Sequence, residues 1–309
     1  MDKSLHKSDF VDVNGINLHY LDWGGSGDLL LFLAGLGCNA HNFDHLAPRF
    51  ADQFHVMALT RRGHGESDHP ETGYDIDTLT EDIRQFLDAL GIEKVILAGH
   101  SMASVELSHF YALYPERVLK LIFLDAAYDR SSASYKNMVE KSPLRHIQAP
   151  GLDVDYYSEE DYFAAMKRAF PYFAPVWTES MEEQCRHEIM KTPEGKIVEK
   201  MSEAINKAIM DTLTSYVPED SKIMVPTLSF FAISQGVYAI ADDWMTEEQK
   251  VQIMDHFETR VKFWARESIE QFRQNVPHAK IIEIPQGHHH CFVKHEELVY
   301  EEMRTFLLD

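Results

Sequence analysis

Cysteine is scarce in this chain. Cys38, Cys185 and Cys291 are odd in number and far apart. They form neither a disulfide framework nor a zinc-type spacing, and they fit a reducing compartment. Positive charge is also in short supply: 29 lysines and arginines stand against 50 aspartates and glutamates, a formal net charge of −21. Such a surface repels phosphate backbones and anionic lipid heads, so nucleic acid is not an expected partner. No apolar run is long enough to span a bilayer. The polar start, Met1-Asp2-Lys3-Ser4-Leu5-His6-Lys7-Ser8, has no signal-peptide core. A soluble, cytoplasmic protein with no membrane partner is the expectation. Internal repeats and low-complexity segments are absent as well.

What is present is ordinary globular composition, 45% hydrophobic and 26% charged over 309 residues. That length suits one large α/β domain, alone or with a smaller inserted one. Phe10–Val13 and Ile16–Tyr20 alternate around Asn14-Gly15, a strong two-residue hairpin signal. Leu29–Leu33 is continuously apolar, as in a strand buried on both faces, and ends in Ala34-Gly35-Leu36-Gly37. His55–Thr60 is a further strand candidate, followed by the Gly-rich Arg61–Asp68. Leu79, Ile83, Phe86, Leu87 and Leu90 mark one face of a helix, with Asp77 as cap and Gly91 as stop. Leu119–Asp125 is the next strand, after a strand and helix around Ser101.

Alternation then pauses between about 130 and 222. This stretch reads as helical and carries Tyr156, Tyr157, Tyr162, Phe163, Met166, Phe170, Tyr172, Phe173 and Trp177. The expected organisation is a core of 1–129 and 223–309 with a helical cap at 130–222. Pro226–Phe231 resumes the strands, a helical stretch covers about 241–275, Lys280–Pro285 is the last strand, and the final helix covers about 296–308. Alternating strands and helices imply a mostly parallel central sheet flanked by helices on both faces.

The most informative segment is Lys94–Ala103, Lys-Val-Ile-Leu-Ala-Gly-His-Ser-Met-Ala, with helical spacing after it. Strand, sharp turn and helix in that order are what a nucleophile elbow needs, with Ser101 at the apex. Small residues two before and two after let strand and helix approach. The usual pattern is Gly-x-Ser-x-Gly, and Ala103 departs from it by one methyl group. The pentapeptide alone fits an ordinary strand-to-helix turn equally well.

The ordered set of motifs resembles the α/β-hydrolase fold, of the serine esterase and lipase kind with a helical cap. It comprises Ala34-Gly35-Leu36-Gly37, Arg62-Gly63-His64-Gly65-Glu66-Ser67-Asp68, Gly99-His100-Ser101-Met102-Ala103, Pro115–Val118, Val225–Leu228 and Pro285-Gln286-Gly287-His288-His289. The resemblance runs nearly end to end. It implies Ser101 as nucleophile and, in chain order, an acid and then a histidine. Counting from Pro285, the histidine falls at His289, with His288 the alternative. Zinc on the run 288–290 is not expected, since adjacent side chains diverge and no coordination spacing is visible. The usual place for the acid, in the loop after Phe231, holds Gln235. The other place known in this fold is Asp125, with Asp242 or Asp243 as alternatives. Backbone N–H groups of Leu36 and Met102 are implied as the oxyanion donors. His41, His64 and His100 are not expected to act directly. His100 should face the helix packing, His64 a structural loop, and Cys38 lies near enough to line a pocket.

The implied reaction is hydrolysis of a carboxylic ester through an acyl-enzyme, with no cofactor and no metal. The Met- and aromatic-rich cap suggests a small apolar or aromatic ester. C–C bond, amide and lactone hydrolysis use the same triad, and a non-catalytic binding role is a further alternative. Epoxide hydrolases and haloalkane dehalogenases carry an Asp where this chain has Ser101. Oligomeric state is open, a homodimer included.

Overall fold

Short apolar runs buried on both faces build the central sheet. The computed structural model describes residues 6–147, 149, 154–232 and 243–309. β1 (Lys7–Val13) and β2 (Ile16–Gly24) form the expected hairpin. Asn14 and Gly15 both have positive φ, 52° and 75°, as a turn matching strand twist requires. Then come β3 (Leu29–Leu33), β4 (His55–Leu59), α1 (Ile76–Ala89), β5 (Val95–His100), α2 (Ala103–Leu113) and β6 (Val118–Leu124). The cap of α1 is Asp75 rather than Asp77. Its carboxylate accepts the Thr78 N–H, and Asp77 falls inside the first turn.

After β6 follow α3 (Ala133–Glu140), α4 (Glu159–Ala169), α5 (Glu179–His187), β7 (Ile189–Lys191), β8 (Ile197–Glu199) and α6 (Glu203–Ser215). The chain ends with β9 (Thr227–Phe231), α7 (Glu247–His256), α8 (Lys262–Asn275), β10 (Lys280–Glu283), α9 (Cys291–Lys294) and α10 (Glu296–Leu308). A π-helical turn, Phe257–Val261, joins α7 to α8.

The main sheet has the order β1-β2-β4-β3-β5-β6-β9-β10. β2 pairs antiparallel with both its neighbours, and the pairs from β4 to β10 are parallel. Alternate strand residues feed two cores. Leu31, Leu97 and Phe123 pack under Phe86, Phe110 and Phe272 on one face. Leu30, Ile96 and Leu228 pack under Phe43, Phe50 and Met303 on the other. Each such buried side chain contributes roughly 1.5–3 kcal/mol.

The stretch read as helical also holds the antiparallel β7–β8 hairpin. Phe163, Ile189 and Ile197 form a small apolar cluster there with Tyr162, Trp177 and Cys185 around them. α3 packs elsewhere: Tyr135 meets Trp264 of α8 at 5.0 Å between ring centroids. α5 and the hairpin are tied to the loops after β3 and β4. Gln184 Nε2 donates to the Gly37 carbonyl at 3.1 Å, and the Glu188 carboxylate accepts from Asn39 Nδ2 at 2.7 Å and the Gly65 N–H at 3.1 Å.

Candidate active site

Parallel strands end together, so the loops after their carboxyl ends converge. Ser101 follows β5 directly and has φ +55°, a left-handed conformation that non-glycine residues seldom adopt. The turn is possible because strand and helix nearly touch. A Cβ on Gly99 would lie 2.8 Å from Leu107 and 2.9 Å from the Ala103 methyl. The methyl of Ala103 therefore occupies room that Gly99 leaves. Across the sheet, a Cβ on Gly35 would come within 3.1 Å of Ser101 Cβ, so the loop after β3 runs against Ser101.

His289 sits in the loop after β10. Its Nε2 is 2.9 Å from Ser101 Oγ, and its Nδ1 is 2.7 Å from Asp125 Oδ2. A carboxylate only accepts here, so Nδ1 carries the proton and Nε2 accepts the serine hydroxyl. Asp125 is buried at the end of β6 with φ +49°. Its Oδ1 accepts from Tyr128 Oη and from the Ala232 N–H, each at 2.7 Å. The backbone just after β9, where the commoner acid loop would begin, thus serves as a hydrogen-bond donor to Asp125. Gln235 and Asp242 lie outside the described residues. Asp243 is exposed and does not line the cavity described below.

His288 has a different place. Its Nε2 donates to the Tyr172 carbonyl at 3.0 Å, its Nδ1 accepts the His290 N–H at 3.0 Å, and its ring stacks on Tyr172 at 4.0 Å. Burial pushes its pKa down to about 4. His100 does not face the helix packing as expected. It lies against His289 and His290, and its Nε2 donates to the His289 carbonyl at 3.0 Å. Burial and those two neighbours keep its imidazole neutral. Tyr172 Oη accepts the His289 N–H at 2.8 Å. His100 and Tyr172 together fix the backbone of His289. No motif marks either role, because both depend on chain segments distant in sequence. Tyr128, three residues after Asp125, was within reach of sequence reasoning as a local partner for a buried carboxylate.

Leu36 and Met102 belong to one apolar cluster with Val105 and Ile209. Among the described residues, neither N–H has an acceptor. The β3 loop is held by Arg61, buried, which donates to the Ala34 carbonyl at 2.9 Å and pairs with Glu106 on α2. His64 is fully buried, with Nδ1 at 3.1 Å from the Arg62 carbonyl, and does not reach the serine.

A cavity of about 420 Å³ opens onto Ser101 and His289. Tyr162, Phe163, Met166, Phe173 and Trp177 line it, so much of the aromatic and methionine content of the 130–222 stretch faces the cavity. Cys38 lines it too, with its thiol pKa raised by burial. Among the described residues, the group with metal-like spacing is His6, His41 and Asp44, whose ligand atoms lie within 4.8 Å of one another. None of the three lines the cavity. No described helix is long and apolar enough to cross a membrane.

A family model described as the α/β hydrolase fold matches residues 28–165. Over 115 residues the chain is 36% identical to 2-(acetamidomethylene)succinate hydrolase of Mesorhizobium japonicum, which is 37% of this chain and 41% of that protein. Over 179 residues it is 30% identical to epoxide hydrolase 4 of Mus musculus, 55% of this chain and 50% of that one. The chain thus spans half or less of the length of these relatives. A solved E-2-(acetamidomethylene)succinate hydrolase superposes with a TM-score of 0.76 at 20% identity, covering 98% of this chain and 100% of the other. The breadth of that superposition, the family match over 28–165 and the parallel sheet with its elbow after β5 give this chain the α/β-hydrolase fold.

Proposed function

We propose that the protein is a serine hydrolase that cleaves carboxylic esters of small molecules through an acyl-enzyme. The observation that carries this is the unbroken hydrogen-bond chain Ser101–His289–Asp125, at 2.9 and 2.7 Å, opening into a largely apolar cavity. Ser101 Oγ attacks the ester carbonyl carbon as His289 Nε2 takes its proton. Asp125 keeps the Nδ1 proton in place and balances the imidazolium charge. The carbonyl oxygen, now anionic, accepts from the Leu36 and Met102 N–H groups. Collapse breaks the bond to the alcohol oxygen, which takes the proton back from His289. Water repeats the sequence and frees the acid. Every step uses groups of this chain and water.

A second reading, amide hydrolysis, is favoured by the likeness to a hydrolase named for an acetamido substrate. Epoxide opening is not proposed, because Ser101 stands where an Asp is expected in epoxide hydrolases. The test is turnover of short p-nitrophenyl esters, with fluorophosphonate labelling of the same sample. Wild type is expected to turn over and to label at Ser101, and Ser101→Ala to do neither. Turnover surviving in that variant would remove Ser101 as nucleophile. Absence of both in wild type would favour a non-catalytic binding role.

A further inference from the structure

Three guanidinium groups near the carboxyl ends of the strands are buried. Two have carboxylate partners: Arg61 pairs with Glu106, and Arg62 makes a bidentate contact with Asp82, both bonds 2.6 Å. Arg130 does not. It is only 5% exposed, and it lines the cavity beside Ser101, His289 and His290. Among the described residues no acceptor meets any of its nitrogens, and Nη1 is sealed from solvent without a partner. Its neighbour in sequence, Asp129, is directed away: Oδ1 accepts the Ser131 N–H at 2.8 Å and the Ser131 hydroxyl at 2.6 Å. The acids in the cavity wall are engaged as well. Glu188 is bound by Asn39 and Gly65, and Glu199 accepts from Tyr162. Arg130 is close enough to His100 to help keep that imidazole uncharged, which puts the guanidinium at the catalytic end of the cavity.

A buried charge is tolerated when it is paired and hydrogen-bonded. A guanidinium left without a bonded anion, facing a largely apolar cavity whose own acids are engaged elsewhere, is a site for an anion that arrives from outside. Its planar fork matches a carboxylate with two parallel N–H···O bonds. We propose that Arg130 binds a free carboxylate on the substrate. The ester this site cleaves is then a half-ester: the scissile carbonyl lies at Ser101, a carboxylate at Arg130, and the apolar remainder against Met166, Phe173 and Trp177. This rests on the ester-hydrolase reading and narrows its substrate class from apolar esters to carboxylate-bearing ones.

The test compares 4-nitrophenyl hydrogen glutarate with its methyl ester, which differ by the charge and one methyl group. Wild type is expected to prefer the acid at least 10-fold in kcat/KM. In Arg130→Met and Arg130→Gln that preference should be lost, a fall of at least 10-fold in the acid-to-methyl ratio, mostly through KM, and Arg130→Lys should restore part of it. A ratio that is the same in wild type and variants would overturn the proposal. A second readout does not need turnover. Glutarate should raise the Tm of Ser101→Ala in a saturable way, and Ser101→Ala/Arg130→Met should not respond. Equal responses in the two would also overturn it. A merely structural Arg130 would make Arg130→Met less stable than wild type, whereas an unpaired one makes the ligand-free variant at least as stable. If neither ester turns over while the glutarate shift still depends on Arg130, the ester reading fails and the carboxylate site stands.

Discussion

At the scale of single residues, the site is organised around Asp125 as much as around Ser101. Three donors converge on its carboxylate, from His289, Tyr128 and the Ala232 backbone. Asp125→Asn should keep the two Oδ1 bonds and hence the fold. Its amide nitrogen would face His289 Nδ1, which forces the proton onto Nε2 and removes the base from Ser101. We expect kcat to fall about 10⁴-fold with KM little changed, read on p-nitrophenyl esters, with a Tm close to wild type. A rate within tenfold of wild type would move the acid elsewhere. Ser101 and Asp125 were legible because each directly follows a strand of recognisable pattern, and His289 because it lies at a countable distance from Pro285 in the loop after the last strand. His100 and Tyr172 were not, because their contacts with His289 span 189 and 117 residues of chain. Arg130 was not singled out either: an isolated arginine carries no pattern, and only its lack of a partner in the folded chain gives it meaning.

At the scale of elements, strand and helix meet closely at the elbow. Gly99 and Ala103 divide a space that takes one methyl group and not two. Gly99→Ala should therefore cost about 1–3 kcal/mol through overpacking, seen as a lower urea midpoint. Adding Ala103→Gly should recover part of that loss, and no recovery would mean that the Leu107 contact dominates. The central sheet was readable from sequence because its strands are continuously apolar and buried on both faces. The β7–β8 hairpin escaped notice because three-residue strands are too short to show a period of two. The boundary of α1 shifted by two residues because Asp75 and Asp77 are both able to cap, and only backbone geometry chooses between them.

At the scale of the whole molecule, histidine is the dominant titrating reserve between neutrality and pH 4. Burial holds His19 and His288 down to about 4 and His64 to about 3, each from an ordinary value of 6.5. A folded pKa below the unfolded one means that the unfolded chain binds more protons in the window between them. Stability is then complete above pH 6.5 and is lost as pH falls toward 4. His19 and His288 each contribute on the order of 3 kcal/mol to that loss. Asp220, raised by burial to about 6, has the opposite sign over part of the window, as do Glu106 and Glu188, also raised by burial, but they are three groups against eight lowered histidines, His19, His64, His69, His100, His256, His288, His290 and His295. The urea midpoint should fall steadily from pH 7 to pH 4.5, and a flat profile would show these imidazoles to be hydrated in the native state. Tyr172 has a separate consequence at this scale. It lies far from His289 in the chain, yet its hydroxyl and carbonyl hold the loop that carries His289. The two places are thereby tied: displacing Tyr172 removes both hydrogen bonds and slackens the backbone that positions His289.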